Sequence, residues 1–124
     1  MRRSAQPLVV GPAIVLWNAT KQEHVSFYHV GASTKREVAG NPASAAIVTW
    51  YLAHNVGDQI SLQAESDDRN LPNQVYSEAV RHPDRVEHVV AALIEAGILE
   101  DAGFHFRDDQ DPQAYVRNLR NIWD

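Results

Sequence analysis

The chain has 124 residues, of which 44% are hydrophobic and 22% charged, and its 16 Asp and Glu against 11 Lys and Arg give a formal net charge of −5. These values are typical of one globular domain with its own core, and the absence of cysteine excludes disulfides, thiolate metal sites and cysteine catalysis. The negative charge also disfavours nucleic-acid binding through the whole surface, since such binding requires positive charge.

Residues 1–40 are predicted to add a β-hairpin to the domain. The apolar run from Leu8 to Trp17 carries strand-forming residues, and residues 24–30 alternate in the pattern of a second strand. The apolar run is too short to cross a membrane, so we expect a cytoplasmic protein without a membrane partner. Residues 31–40 are polar and basic, and they predict a loop or a short frayed helix.

Residues 41–109 are predicted to form a core of a helix, a short strand, two more helices and a hairpin. The dipeptide Asn41-Pro42 favours the start of a helix, because asparagine caps free N–H groups and proline suits the first turn. That helix is expected to run to about Asn55. Residues 59–62 then predict a short strand, and residues 73–81 predict the second helix.

The third helix of this core and the hairpin after it are predicted within residues 81–109. Pro83 suits the first helical position, and Gly97 supplies a left-handed stop at the end of the helix. Short apolar segments at residues 98–99 and 104–106 flank a tight turn at 101–103, which predicts a hairpin. The apolar face of the helix consists of Val86, Val89, Val90, Leu93 and Ile94.

Residues 110–124 are predicted to close the domain as an amphipathic helix. Asp111-Pro112 repeats the signal of a cap followed by proline. The apolar residues after it are spaced as on one helix face, and they are Tyr115, Val116, Leu119, Ile122 and Trp123. The predicted fold class is therefore α+β, with an N-terminal β-hairpin, a central core and a C-terminal amphipathic helix in one domain.

Residues 41–109 resemble a winged helix-turn-helix domain. The matching stretches are NPASAAIVTWYLAHN, QISL, NQVYSEAV, PDRVEHVVAALIEAGIL and FHF. The segment LIEAGI and the hairpin after it are also similar to winged-helix modules of phage and plasmid replication-associated proteins, which often carry L-x-x-A-G-L/I before a short hairpin. The resemblance implies a phage or bacterial protein with a winged-helix-like core, whose helix before the wing contacts the major groove of DNA.

The DNA contacts implied by the resemblance fall on the start of the third helix and on the wing. Arg85 would read guanine there, and His88 lies on the same part of the helix. Arg81 and Arg107 would contact phosphates. A helix face that is merely solvated remains an alternative for Arg85 and His88.

Acidic residues around that helix disfavour phosphate contacts there and favour contacts elsewhere in the chain. Asp84 and Glu87 share its exposed face and would repel phosphate, and residues 84–111 contain eight acidic residues against two arginines. The N-terminal side of the chain is basic instead. Its candidates for phosphate contact are Lys35 and Arg36, together with Arg2 and Arg3.

No pattern in the sequence predicts catalysis, a metal site or a cofactor. The six histidines lack the close spacing of metal ligands, and no serine lies in a G-x-S-x-G motif. The segment GASTKREVAG does not have the spacing of a phosphate-binding loop. We therefore expect a protein that is not an enzyme.

Binding to another protein is the second expectation. Trp17, Tyr28 and Trp123 are the aromatic candidates for interface anchors, although each could instead belong to the core. A homodimer could form through the edge of the N-terminal hairpin. The sequence thus predicts a small regulatory or interaction module that binds DNA or a protein partner. The alternative is a small acidic inhibitor, of the immunity or anti-defence type, that acts on a basic protein.

Overall fold

A computed structural model of the chain describes residues 11–67 and 69–123, and its mixture of helices and antiparallel strands confirms the α+β class. Arg2, Arg3 and the first residues of the predicted strand, from Leu8, lie outside the described residues. The strands are β1 (Ile14–Asn18), β2 (Glu23–Val25), β3 (Ile60–Ala64), β4 (Leu99–Arg107) and β5 (Tyr115–Asn121). The helices are α1 (Lys35–Gly40), α2 (Pro42–Ala53), α3 (Gln74–Ala79) and α4 (Val86–Glu95), and a 3-10 turn covers Tyr28–Val30.

A three-stranded antiparallel sheet in the order β2-β1-β3 forms one layer of the domain. The predicted N-terminal hairpin is confirmed as β1 and β2, although β2 ends at Val25 and the chain then enters the 3-10 turn. All five residues of β1 are buried because both of its faces are covered. Leu16 points into the main core, whereas Trp17 packs on the opposite face against α3.

Two capped helices follow the hairpin. Residues 35–40 form the short helix α1, whose capping box joins the side chains of Thr34 and Glu37 to each other's backbone N–H groups. The predicted start of α2 is confirmed, because the Asn41 side chain accepts from the backbone of Ala43 and Ser44. Helices α2 and α4 pack together over the sheet, and the centre of the core is made by Phe27, Ile47, Val90, Leu93 and Leu99.

Helix α4 begins three residues later than predicted. Pro83 does not occupy the first helical position, because its carbonyl accepts from the His24 N–H and holds it beside β2. Asp84 accepts from the Val86 N–H and Arg85 is the N-cap residue, so the helix starts at Val86. Gly97 ends the helix as predicted, with φ of 77°.

The predicted turn at residues 101–103 is wrong, because β4 is one continuous strand of nine residues. The Gly103 N–H donates to the Asp101 side chain, and Gly103 has φ of 98°. This local turn chemistry makes a β-bulge, seen as a shift in the pairing register between Asp101 and Phe104. The chain reverses instead at residues 108–114.

The predicted C-terminal amphipathic helix over residues 110–124 is also wrong. The Asp111 side chain accepts from the Gln113 N–H, which caps a turn rather than a helix. Strand β5 then pairs along β4, where its backbone groups find partners and Leu119 reaches the core. The last two strands form a separate two-stranded sheet, while β3 pairs with β1.

Candidate functional site

A cleft lies between α4 and the β4–β5 hairpin, and we call it the hairpin cleft. Its volume is about 630 Å³. It is lined by Glu87, Phe104, Arg107, Asp108, Asp109, Pro112, Tyr115 and Arg117. Aromatic rings, carboxylates and two arginines therefore meet in one concave surface.

Hydrogen bonds and ion pairs hold the hairpin against α4. The Arg117 side chain, only 14% exposed, contacts Glu87 on one side and lies 2.9 Å from the Asp101 carboxylate on the other. The Gly103 N–H and, beyond it, the Arg117 guanidinium hold the pKa of Asp101 below its usual value. Since both carboxylates engage Arg117, the charge of this arginine is compensated within the protein.

Tyr115 is a permanent hydrogen-bond donor at neutral pH. Its hydroxyl donates to Glu87 at 2.8 Å. Burial, together with the hydrogen bond and negative charge of Glu87, raises the pKa of Tyr115 to about 12. One wall of the cleft is thus a neutral phenol ring whose position is fixed by α4.

A continuous row of rings leads from the 3-10 turn to the tip of the hairpin. Tyr28 lies edge-on to His29 at 5.0 Å, and His29 stacks on Tyr115 at 4.0 Å between centroids. Tyr115 meets Phe104 edge-on at 5.9 Å, and the Arg107 guanidinium lies 4.8 Å from the Phe104 ring. This aromatic row places Tyr28 and Arg107, two residues predicted to bind partners, on one surface.

The hairpin cleft has the chemistry of a cation-binding surface. Phe104 is 46% exposed, so part of its ring stays open to a partner beside the Arg107 guanidinium. Asp108 and Asp109 add carboxylates at the rim. Aromatic faces attract guanidinium and ammonium groups, and nearby carboxylates pair with them. An arginine or lysine side chain would therefore find favourable contacts in this cleft.

A second cleft, the polar cleft, has a volume of about 410 Å³ and lies between α2 and the start of α4. Its lining includes two of the predicted DNA-binding residues, Arg85 and His88. Lys21, Trp50 and His54 also line it, and the His54 and Trp50 rings stack at 4.2 Å.

A buried hydrogen-bond network lies behind the polar cleft. Asn18 is fully buried and donates to the Tyr51 hydroxyl at 3.0 Å and to Asp58 at 2.8 Å. Tyr51 in turn donates to Glu23 at 2.6 Å, and Glu23 lies 3.6 Å from Arg85. Burial and the Glu23 hydrogen bond raise the pKa of Tyr51, while the hydrogen bond from Asn18 lowers that of Asp58.

The six predicted nucleic-acid contacts do not line one cleft. Arg85 and His88 line the polar cleft and Arg107 lines the hairpin cleft. Lys35 lines an apolar groove beside α1. The other two are exposed: Arg36 lies on α1, and Arg81 lies 3.9 Å from Glu78 at the end of α3.

The three predicted aromatic anchors differ in exposure. Trp17 is only 8% exposed and packs in the core, 5.2 Å from the His82 ring. Tyr28 is 57% exposed at one end of the aromatic row, and Trp123 is 69% exposed after β5. The sequence analysis did not single out Phe104 or Tyr115 as binding residues. The Phe-His-Phe alternation was the available signal for Phe104, whereas Tyr115 was assigned to a helix face.

Within 11–67 and 69–123, no three His, Asp or Glu side chains converge as metal ligands would. No helix in the same part of the chain has both the length and the apolar character to cross a membrane. No protein-family model matches the chain, and no curated protein or solved structure matches it either.

Proposed function

We propose that the chain is a small non-enzymatic interaction module that binds a basic segment of another protein in the hairpin cleft. The observation that carries this proposal is the meeting of Phe104 and Tyr115 with the carboxylates of Asp108 and Asp109 in one concave surface. A partner arginine or lysine can place its charge between these rings and carboxylates. Its stem can pack on the exposed Phe104 ring.

The charge of the chain supports a basic partner. The net charge is −5, and the acidic excess over residues 84–111 includes the tip of the hairpin. Such a field attracts positively charged proteins and speeds their association. An acidic inhibitor of a basic protein would use the same surface, so this type of regulator is one form of the proposed module.

The order of elements supports a winged-helix-like core for this module. From α2 onward the chain forms a helix, a strand, two helices and a two-stranded hairpin, as in the winged-helix family. The pairing of β3 with β1 departs from a sheet shared with the wing. On α4, the helix that would enter DNA, Glu87 is engaged by the hairpin, and Ala91 and Glu95 are exposed. The two glutamates would repel the phosphates that flank a groove, which favours a protein partner.

DNA binding through the polar cleft is a second candidate function. The observation in its favour is that Lys21, Arg85, His54 and His88 line the same cleft. Glu23 and Asp58 compensate Arg85 and Lys21, respectively. Any attraction for phosphate would therefore depend on the histidines and on partial exposure of the two cations.

Calorimetric titration of the wild-type chain separates the two candidates. A hexa-arginine peptide should bind, whereas a hexa-glutamate peptide should not. Added salt should weaken the binding of the hexa-arginine peptide. Labelled duplex DNA at low salt is the competing ligand. Binding of duplex DNA without binding of the arginine peptide would reject the protein-partner proposal and support the polar cleft.

A further inference from the structure

Among the described residues, the outer edge of β3 has backbone groups without a hydrogen-bond partner. The Glu65 N–H donates to the Ala13 carbonyl, and the Ala19 N–H donates to the Gln59 carbonyl, so the odd-numbered residues of this stretch face β1. In an antiparallel ladder the alternate residues point their N–H and C=O groups the other way. Ile60 and Leu62 therefore direct these groups out of the sheet, and no hydrogen bond outside the ladders uses them within the described residues.

An apolar groove adjoins this edge. Its volume is about 360 Å³, and it lies where α1 and α2 meet the face of the sheet. Leu62 shares that face with its neighbour Leu16 across the ladder, yet it is 45% exposed because β3 is the edge strand of the sheet as far as residues 11–67 and 69–123 show. The groove is lined by Ile14, Lys35, Val38, Ala39, Ala45, Val48, Thr49 and Leu62. A segment that fills the groove and pairs with this edge must have an extended backbone and an apolar side chain next to Leu62.

We propose that the edge of β3 pairs with β3 of a second copy of the chain, around a two-fold axis at Leu62. In this arrangement the two Leu62 residues exchange backbone hydrogen bonds, and Ile60 lies opposite Ala64 of the second copy. The sheets then join into one antiparallel sheet, with both apolar grooves on the same face. Each Leu62 side chain packs against the other at the junction of the grooves.

The composition of β3 supports a second copy as the occupant. Its sequence, ISLQA, contains no charged residue, so antiparallel self-pairing places no like charges opposite each other. It also lacks the lysine or proline with which free edges are commonly protected. The Asn73 side chain donates to the Ala64 carbonyl at 2.8 Å, and this contact marks one end of the edge. The carbonyl oxygen has a second lone pair, which can accept from the second copy.

Sedimentation velocity over a concentration series tests this proposal on the full chain. The wild type should form a two-chain species as concentration rises, and the Leu62 amide should then exchange its hydrogen more slowly. Leu62→Lys and Leu62→Asp should each sediment as single chains, because like charges meet at the axis. An equimolar mixture of the two variants should recover a two-chain species, because opposite charges then meet.

A matched substitution controls for a general effect of surface charge. Val75 on α3 is also 45% exposed, and Val75→Lys should leave the two-chain species intact. Circular dichroism verifies that each variant folds. The proposal is rejected if the wild type stays a single chain up to its solubility limit. Slow exchange of the Leu62 amide at every concentration in such a single chain would show that residues 1–10 cover the edge instead, and this outcome also rejects it. Failure of the two Leu62 variants to combine would also reject it, whereas the hairpin-cleft proposal would be unaffected.

Discussion

The Tyr115 hydroxyl donates a hydrogen bond to Glu87 at 2.8 Å, and this contact joins the second strand of the hairpin to α4. Arg117, two residues further along β5, engages the same carboxylate. The hairpin is thus positioned by side chains of its own second strand, and the cleft between hairpin and helix has a defined shape. A preformed cleft reduces the ordering cost of binding a partner.

Removal of Arg117 should destabilise the fold more than removal of a neighbouring exposed arginine. Arg117→Gln leaves Glu87 and Asp101 without their shared partner, and we expect a loss of about 2 kcal/mol in the free energy of unfolding. Arg120 pairs with Glu100 and is 64% exposed, so Arg120→Gln should cost less than about 1 kcal/mol. Urea unfolding of both variants measures the difference. Equal losses would contradict the role assigned to Arg117.

Tyr115 should make stability fall at alkaline pH. Below pH 10, the ordinary pKa of tyrosine, folded and unfolded chains both keep the proton and the contribution of Tyr115 is complete. Between pH 10 and about 12 only the folded chain keeps it, so stability decreases as pH rises. The urea midpoint of the wild type should therefore fall more steeply over this range than that of Tyr115→Phe. Parallel pH profiles for the two proteins would refute the raised pKa.

Two phenylalanines on the same strand should differ in their effect on partner binding. Phe104 lines the hairpin cleft and contacts Tyr115, whereas Phe106, 52% exposed, is not part of the lining. Phe104→Ala should weaken hexa-arginine binding at least several-fold, because it removes a cation–π surface of about 1 kcal/mol. Phe106→Ala should bind as the wild type does. Titration calorimetry provides both values, and a larger loss for Phe106→Ala would place the site elsewhere.

Asn18, the buried asparagine behind the polar cleft, should contribute to the stability of the fold. Asn18→Ala removes the donor to the Tyr51 hydroxyl and leaves Asp58 with Lys21 alone, and a loss of about 2 kcal/mol is expected. Asn121 is exposed, donates to the Pro42 carbonyl and accepts from the Trp123 N–H, and because both contacts are open to solvent Asn121→Ala should cost less than about 1 kcal/mol. Thermal and urea unfolding test the contrast. A silent Asn18→Ala would show that the network does not contribute to folding.

Local signals predicted the start of α2 and the end of α4 correctly. Asn41-Pro42 and Gly97 act on adjacent backbone groups, which the sequence displays directly. Helix α4 starts later than predicted because a hydrogen bond from His24, on a strand distant in sequence, holds Pro83 outside the helix. Contacts between distant segments override local propensity and are not visible in a single sequence.

The C-terminal segment shows why the candidate site was only partly predicted. Tyr115, Val116 and Leu119 fit the spacing of a helix, yet their backbone pairs with the free edge of β4. Asp101 and Gly103 were assigned to a turn because their local hydrogen bond is typical of one, but the same chemistry can make a bulge within a strand. With a turn at this place, β4 would be too short to pair with a further strand. One error therefore produced the other, and the strand pairing that brings Tyr115 beside Phe104 was not predicted.

Chemical-shift mapping of hexa-arginine on the ¹⁵N-labelled wild-type chain tests the central claim most directly. We expect saturable shifts for the amides of Phe104, Asp109 and Tyr115, with little change at Arg85 and His88. The same titration of Phe104→Ala should shift these hairpin amides only at higher peptide concentration. Shifts confined to the polar cleft, or the absence of saturable shifts, would contradict binding in the hairpin cleft.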